Sequence, residues 1–174
     1  MIAQCPICEN KSYTHSFPFE TFWNKKIFQY LKCKNCKCTY VHPLPTDKDF
    51  EKMYNKEAYH DVHYKNNDIN NYKRSLSFLS QFSNNKKTLL DYGCGDGLFL
   101  SLCKKYGFDS TGVEIDNKII EYAKLKSKCS IYNIRDLNKK KIKFDIIHLG
   151  DVLEHTSKPY DLMIQLENFL NKNG

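Results

Sequence analysis

Asp91-Tyr92-Gly93-Cys94-Gly95-Asp96-Gly97 is the stretch on which the fold turns. It follows the apolar pair Leu89-Leu90 and opens into Leu98-Phe99-Leu100. Glycines at alternate positions let the backbone turn tightly and bring a ligand close to a strand end. A helix starting behind them offers its first amides to a negatively charged ligand group. The acid ahead of them, Asp91, suits a ligand that also carries a positive charge. Two nucleotide motifs are excluded: a phosphate-binding loop needs Gly-Lys-Ser/Thr, which is absent, and the dinucleotide fingerprint needs a glycine where Leu98 stands.

Downstream, short apolar runs alternate with amphipathic segments, the texture of βαβ units and a parallel sheet. Strands are expected at Thr88 to Tyr92, Ser110 to Ile115, Ser130 to Tyr132 and Phe144 to Leu149. Helices are expected from Leu98 to Tyr106, closed by Gly107, and from Lys118 to about Lys126. A last helix is expected from Ser157 through Pro159 to Leu170, with Leu162, Met163, Leu166, Phe169 and Leu170 on one face and Gly174 able to end it. Glu114 ends the second strand, where a carboxylate can accept both hydroxyls of a ribose. Asp116 fits a helix cap.

Upstream, Ile69, Tyr72, Leu76, Leu79 and Phe82 recur at helical intervals from about Asp68, and Ser83-Asn84-Asn85 ends the pattern. Thr46 with Asp47 and Asp49 marks a helix start after His42-Pro43-Leu44-Pro45. At the N-terminus, Cys5-Pro-Ile-Cys8 and Cys33-Lys-Asn-Cys36 form two CxxC pairs. This spacing offers four sulfurs to one structural zinc ion, with Cys5, Cys8, Cys33 and Cys36 as ligands. Phe17, Phe19, Phe22, Trp23, Ile27, Phe28 and Tyr30 between the pairs suit short strands packed around such a site. Cys38 is a rival ligand, disfavoured by the CxxC bite, while Cys94, Cys103 and Cys129 are expected in the core.

Free cysteines in such number, no secretory leader and no apolar run near the roughly 18 residues of a membrane helix point to a cytoplasmic protein. The net charge of +7 does not demand nucleic acid: residues 1 to 64 hold nine lysines against seven acids, and Arg74 and Arg135 are the only arginines.

The motifs "LLDYGCGDGLFL" (89–100), "GVEID" (112–116) and "FDIIHLGDVLEH" (144–155) resemble, in order, those of class I S-adenosylmethionine-dependent methyltransferases. The resemblance implies an α/β fold, an incomplete Rossmann-like doubly wound parallel sheet behind a small zinc-ribbon-like module. It divides the chain into a zinc-binding module (1–45), a helical connector (46–84) and the first part of a methyltransferase domain (85–174). It implies that Asp91, Gly93, Gly95 and Gly97 hold the methionine part of S-adenosylmethionine and that Glu114 with Ile115 holds the ribose. Asp136 with Leu137 would flank the adenine, and Gly150 with Asp151 would line the pocket. His155 is the residue placed to take a proton from the acceptor. Members with a four-cysteine module of this kind resemble methyltransferases of sugar and surface-polysaccharide pathways, so a small-molecule acceptor is implied.

Family sheets have seven strands, the fifth following a turn similar to 168–174. Only strands one to four are therefore expected here, from a fragment or an interrupted reading frame. An edge left on the fourth strand would invite self-association, and methyl transfer would be weak. A non-catalytic remnant with residual cofactor binding and a ribosomal-RNA methyltransferase are the rival readings, the latter opposed by the charge distribution.

Overall fold

Between the cysteine pairs the chain doubles back as a hairpin. Strand β1 (Tyr13–Trp23) pairs antiparallel with β2 (Lys26–Cys33). The turn residues Asn24 and Lys25 both take positive φ, 47° and 62°, which matches the twist of a two-residue hairpin turn. Strand β3 (Thr39–His42) lies on the other side of β2. The register breaks between His15 and Glu20, where Phe19 adopts φ 75°. Here the expectation of short strands wrapped by aromatics is corrected: β1 runs for 11 residues, and Phe17, Phe19, Phe22 and Ile27 are exposed. Of the seven residues named above, only Phe28 is buried. A two-stranded ribbon longer than its core leaves side chains uncovered, and that core is small: Ala3, Cys5, Leu31, Cys33 and Tyr40.

Helix α1 (Asp47–Tyr54) begins with reciprocal capping: the Thr46 amide donates to Asp49 Oδ2, and Thr46 Oγ1 accepts from the Asp49 amide. Asp49 also receives Lys26 Nζ on both carboxylate oxygens, at 2.7 and 2.8 Å, tying the helix to the hairpin. The computed structural model describes residues 2–54, 69–82 and 87–174. Much of the connector expected at 46–84, its helix start at Asp68 and its stop at 83–85 thus lie outside the described residues. Helix α2 (Ile69–Phe82) turns Tyr72, Leu76 and Leu79 toward one apolar cluster.

The remaining elements alternate as the sequence pattern requires. They are β4 (Thr88–Tyr92), α3 (Leu98–Cys103), β5 (Asp109–Val113), α4 (Asn117–Ser127), β6 (Ser130–Tyr132), α5 (Ile134–Lys139), β7 (Ile146–His148) and α6 (Pro159–Glu167). A 3-10 turn at Lys104–Tyr106 extends α3, and Gly107 ends it in the left-handed region. All strand pairs are parallel, in the order β6-β5-β4-β7. The sheet therefore winds outward from β4 in both directions, a Rossmann-like, doubly wound α/β fold. Leu76, Leu89, Phe99, Leu102, Cys103 and Phe108 form one core, and Cys94, Leu100, Ile120, Ala123 and Ile131 another.

Two boundaries differ from expectation for one reason. The fourth strand is Ile146–His148 rather than Phe144 to Leu149, and the last helix stops at Glu167 rather than Leu170. The Phe144 amide donates to Phe169 O, and the Asn171 amide donates to Phe144 O, so Phe144 and Leu170 form a parallel bridge. Backbone groups that would have extended the helix are recruited sideways by the strand. The second strand likewise ends at Val113, two residues early, as Glu114 turns its carboxylate back onto the loop.

By contacts the chain forms two units, residues 1–57 with 153–164, and residues 58–152 with 165–174. In the second, Asp145 closes the N-terminal end of the sheet. It accepts from the amides of Lys87 and Thr88, the Thr88 hydroxyl and the Asn171 side chain, at 2.8 to 3.1 Å. These donors, the Thr88 amide first, draw its carboxyl from the ordinary 3.8 down to about 2. The ionised form is the one the fold favours, so its contribution is complete above about pH 4 and fades as pH falls toward 2. Urea unfolding followed by circular dichroism should show Asp145→Asn less stable than wild type at pH 7, with the gap narrowing across that window.

Candidate functional site

Each cysteine pair is folded into the same knuckle. The Cys5 amide donates to Asn10 O, and the Cys33 amide donates to Cys38 O, so each bond spans five residues. In each, the residue after the second cysteine takes positive φ: Glu9 at 58° and Lys37 at 66°. The four Sγ atoms of Cys5, Cys8, Cys33 and Cys36 lie within 4.8 Å of one another. Two cross-pair distances are 3.5 and 3.6 Å, far beyond a disulfide and near the roughly 3.8 Å edge of a zinc–thiolate tetrahedron with bonds of about 2.3 Å. The Asn10 amide helps hold the Cys8 thiol down to about 6, whereas burial pushes Cys5 up. Four sulfurs this close cannot all ionise without a cation among them, so the donor set fits a divalent metal. The rival Cys38 packs beside the centre but is not among the four clustered sulfurs, its thiol being directed to Thr39 O.

In the second unit the glycine loop runs from the end of β4 into α3. Gly93 takes φ 81°, and a Cβ there would stand 2.7 Å from Val152 Cγ2, so only glycine fits. The amides of Gly93 and Cys94 both donate to Val113 O at 2.9 Å, drawing the loop over β5. Gly95 donates to Glu114 Oε2 at 3.0 Å, while Glu114 Oε1 accepts from the amides of Ile115 and Asp116. Glu114 is thereby fixed at the carboxyl end of β5, against the loop. Asp116 caps α4 through the Lys118 amide. The expectation of a free helix start behind the glycines is modified: Asp96 Oδ1 accepts from the Leu98 amide, and its other oxygen takes Lys126.

The other positions are distributed as follows. Gly97 is the N-cap of α3. Ile115 is exposed beside Glu114. Asp136 lies on the exposed side of α5, paired with Lys139, whereas Leu137 is fully buried, its amide donating to Asn133 O and its carbonyl accepting from the Lys140 amide. Gly150 and Asp151 follow β7, and Asp151 takes φ 53°. His155 is exposed on the 3-10 turn Leu153–His155, within the first unit. Asp91 does not face outward toward a cation as its position ahead of the glycines suggested. It is buried, with His148 Nδ1 at 2.7 Å from its Oδ1. His148 drew no attention in the sequence, since its pairing with Asp91 depends on the register of β4 against β7.

The carboxyl ends of β4, β5 and β7 thus hold a glycine turn and four acids, Asp91, Asp96, Glu114 and Asp151. A model of the methyltransferase domain family matches residues 63–174. The chain belongs to this family. Among curated methyltransferases it is 43% identical over 58 residues to an ATP synthase lysine N-methyltransferase of Caenorhabditis elegans, covering 33% of this chain and 30% of the relative. It is 34% identical over 95 residues to the ubiquinone biosynthesis O-methyltransferase of Coxiella burnetii, covering 51% of this chain and 41% of the relative. Among solved structures, the plantazolicin methyltransferase BpumL in complex with a desmethylPZN analog and SAH superposes with a TM-score of 0.56. It is 23% identical and covers 70% of this chain and 52% of that one. Magnesium protoporphyrin IX methyltransferase from Synechocystis, with bound SAM, gives 0.51 at 19% identity, covering 59% of this chain and 54% of that one. These likenesses show the class I methyltransferase fold. The chain spans about half the length of the solved relatives and less of the curated ones. The cysteine centre lies ahead of the family segment, which begins at residue 63.

Proposed function

We propose that the methyltransferase domain binds S-adenosylmethionine across the carboxyl ends of β4 and β5. On this reading the protein transfers its methyl group to a small-molecule acceptor, a sugar or surface-polysaccharide precursor, in the cytoplasm. The single observation that carries this reading is the contact of Glu114 with Gly95: a ribose-binding carboxylate and a glycine turn at adjacent strand ends make one ligand cradle. The excess of acids around it suits a ligand bearing a sulfonium and an ammonium group. When bound, that ligand supplies an activated methyl group, so the chain's residues have only to hold it, align the acceptor and take up a proton. In the proposal Gly93, Gly95 and Gly97 hold the methionine end, with Asp91 buried behind them as a nearby negative charge rather than a direct contact, and Glu114 with Ile115 holds the ribose. Asp136 with Leu137 flanks the adenine, Gly150 with Asp151 lines the pocket, and His155 is carried over from the family resemblance as the group that takes the acceptor's proton.

The sugar class rests on the resemblance of the N-terminal module, which we assign as residues 1–45 with one structural zinc ion held by Cys5, Cys8, Cys33 and Cys36. Residues 46–84 connect it to the domain at 85–174. Curated relatives are named for acceptors as different as a protein lysine and a ubiquinone precursor, so the acceptor has to be found directly. Among the described residues no helix is long and apolar enough to cross a membrane. Calorimetry with S-adenosylhomocysteine tests the cradle, and absence of binding would refute it. Labelled S-adenosylmethionine with a panel of nucleotide-linked sugars tests the acceptor, and label on none of them would remove the sugar assignment.

A further inference from the structure

Winding of the sheet reverses between β4 and β7. In open α/β sheets, ligands bind in the crevice outside the carboxyl ends of the strands at such a point. Asp91 in β4 and His148, the last residue of β7, are register partners across it. Three contacts hold the imidazole. Its Nδ1 is 2.7 Å from the buried Asp91 Oδ1. The Phe99 ring stacks on it, with centroids 4.0 Å apart and planes at 17°. Gly150 closes on its edge, where a Cβ would fall 2.7 Å from His148 Cε1. None of these contacts occupies His148 Nε2, and the side chain is partly exposed, at 18%.

A buried carboxylate bonded to one imidazole nitrogen orients the ring and supports a proton arriving at the other. We propose that His148 Nε2 receives the acceptor's proton during methyl transfer, with Asp91 as its positioning residue. This rests on the methyl transfer proposed above. The lone pair of the acceptor's hydroxyl or amine forms a bond to the methyl carbon. The electron pair of the broken carbon–sulfur bond returns to sulfur, and the proton passes to Nε2 and then to water. One positive charge disappears at sulfur as one appears on the imidazole, so the crevice keeps its net charge. Among the described residues the ionisable groups that feel Asp91 include Tyr72 of α2 and the thiols of Cys94 and Cys103; around them stand Asp96, itself paired with Lys126, Asp151 and Glu114. With Lys126 already paired to Asp96, a bound sulfonium and the imidazolium compete for the buried Asp91 carboxylate. His148 should therefore hold a proton less tightly beside S-adenosylmethionine than beside the neutral thioether of S-adenosylhomocysteine.

The test counts protons rather than turnover. Both ligands are titrated calorimetrically into the whole chain, in buffers of different ionisation enthalpy, from about pH 5 to 8, the range in which histidine ordinarily changes charge. S-adenosylmethionine should release more protons on binding than S-adenosylhomocysteine. Its relative affinity should rise with pH by on the order of tenfold. His148→Asn, whose amide can still donate to Asp91, should bind both ligands and lose the difference. Equal proton counts for the two ligands in wild type, a difference that persists in His148→Asn, or one lost instead in His155→Ala would each overturn the assignment. Should His148→Asn not fold, the wild-type comparison and His155→Ala still decide. Failure of both ligands to bind wild type is a separate result: it refutes the cradle itself, and this inference falls with it.

Discussion

Cys33→Ser should reduce bound zinc from one ion per chain to near zero and unfold the N-terminal module. The expected effect is large because the four-sulfur centre and the module's core are nearly the same object. Cys5 and Cys33 are two of the five buried residues of that core, and the hairpin beyond it exposes Phe17, Phe19, Phe22 and Ile27. Structural zinc contributes roughly 10–16 kcal/mol of apparent binding energy in small zinc-finger peptides, as much as the about 5–15 kcal/mol stability of a whole domain. A serine hydroxyl at Cys33 replaces a thiolate and breaks the cross-pair contact to Cys8. Metal analysis of protein purified without added zinc gives the stoichiometry, and two-dimensional NMR shows which amides lose dispersion. Little metal in wild type, unchanged by the substitution, would remove the zinc assignment. Retained dispersion for Tyr13–Cys33 in metal-free protein would show that the hairpin stands without it.

Glu114→Ala should weaken S-adenosylmethionine and S-adenosylhomocysteine binding by more than about tenfold. On the proposed ribose assignment two hydroxyls donate to this carboxylate, and hydrogen bonds to a charged group are worth about 1.5–3 kcal/mol. A second loss adds to the first, since Glu114 also accepts the Gly95 amide and so holds the glycine turn in place. Glu114→Gln separates the two, because its amide oxygen can still accept from Gly95 while the charge is gone. Its affinity should fall between those of wild type and Glu114→Ala. Equal calorimetric affinities for wild type and Glu114→Ala, with unchanged thermal midpoints, would refute the ribose assignment.

Local sequence was sufficient wherever the deciding interactions are themselves local. The two CxxC pairs close on their own backbone through bonds five residues apart, so each knuckle is a property of a short segment. The glycine turn, the cap at Asp116 and the three-residue strand Ser130–Tyr132 were legible for the same reason. The sequence pattern carries the last helix three residues past its observed C-terminal end because Phe169 and Leu170 keep the helical apolar period while their backbone is claimed by Phe144, outside any local window. The aromatics of the hairpin were read as core because apolar residues in strands usually are. Nothing in their spacing reports that the ribbon outruns its small core.

From residues alone, then, came the parallel α/β fold, the glycine turn at Gly93, Gly95 and Gly97 with Glu114 at the next strand end, and the grouping of Cys5, Cys8, Cys33 and Cys36 that the structure brings within 4.8 Å. Tertiary structure alone decided what Asp91 faces. It stands 57 residues from His148 in the chain and 2.7 Å from it in space. The physical reason is register: side chains alternate faces along a strand, so which residues meet across β4 and β7 is set by how the two strands align, and a slip of one residue would turn His148 to the opposite face.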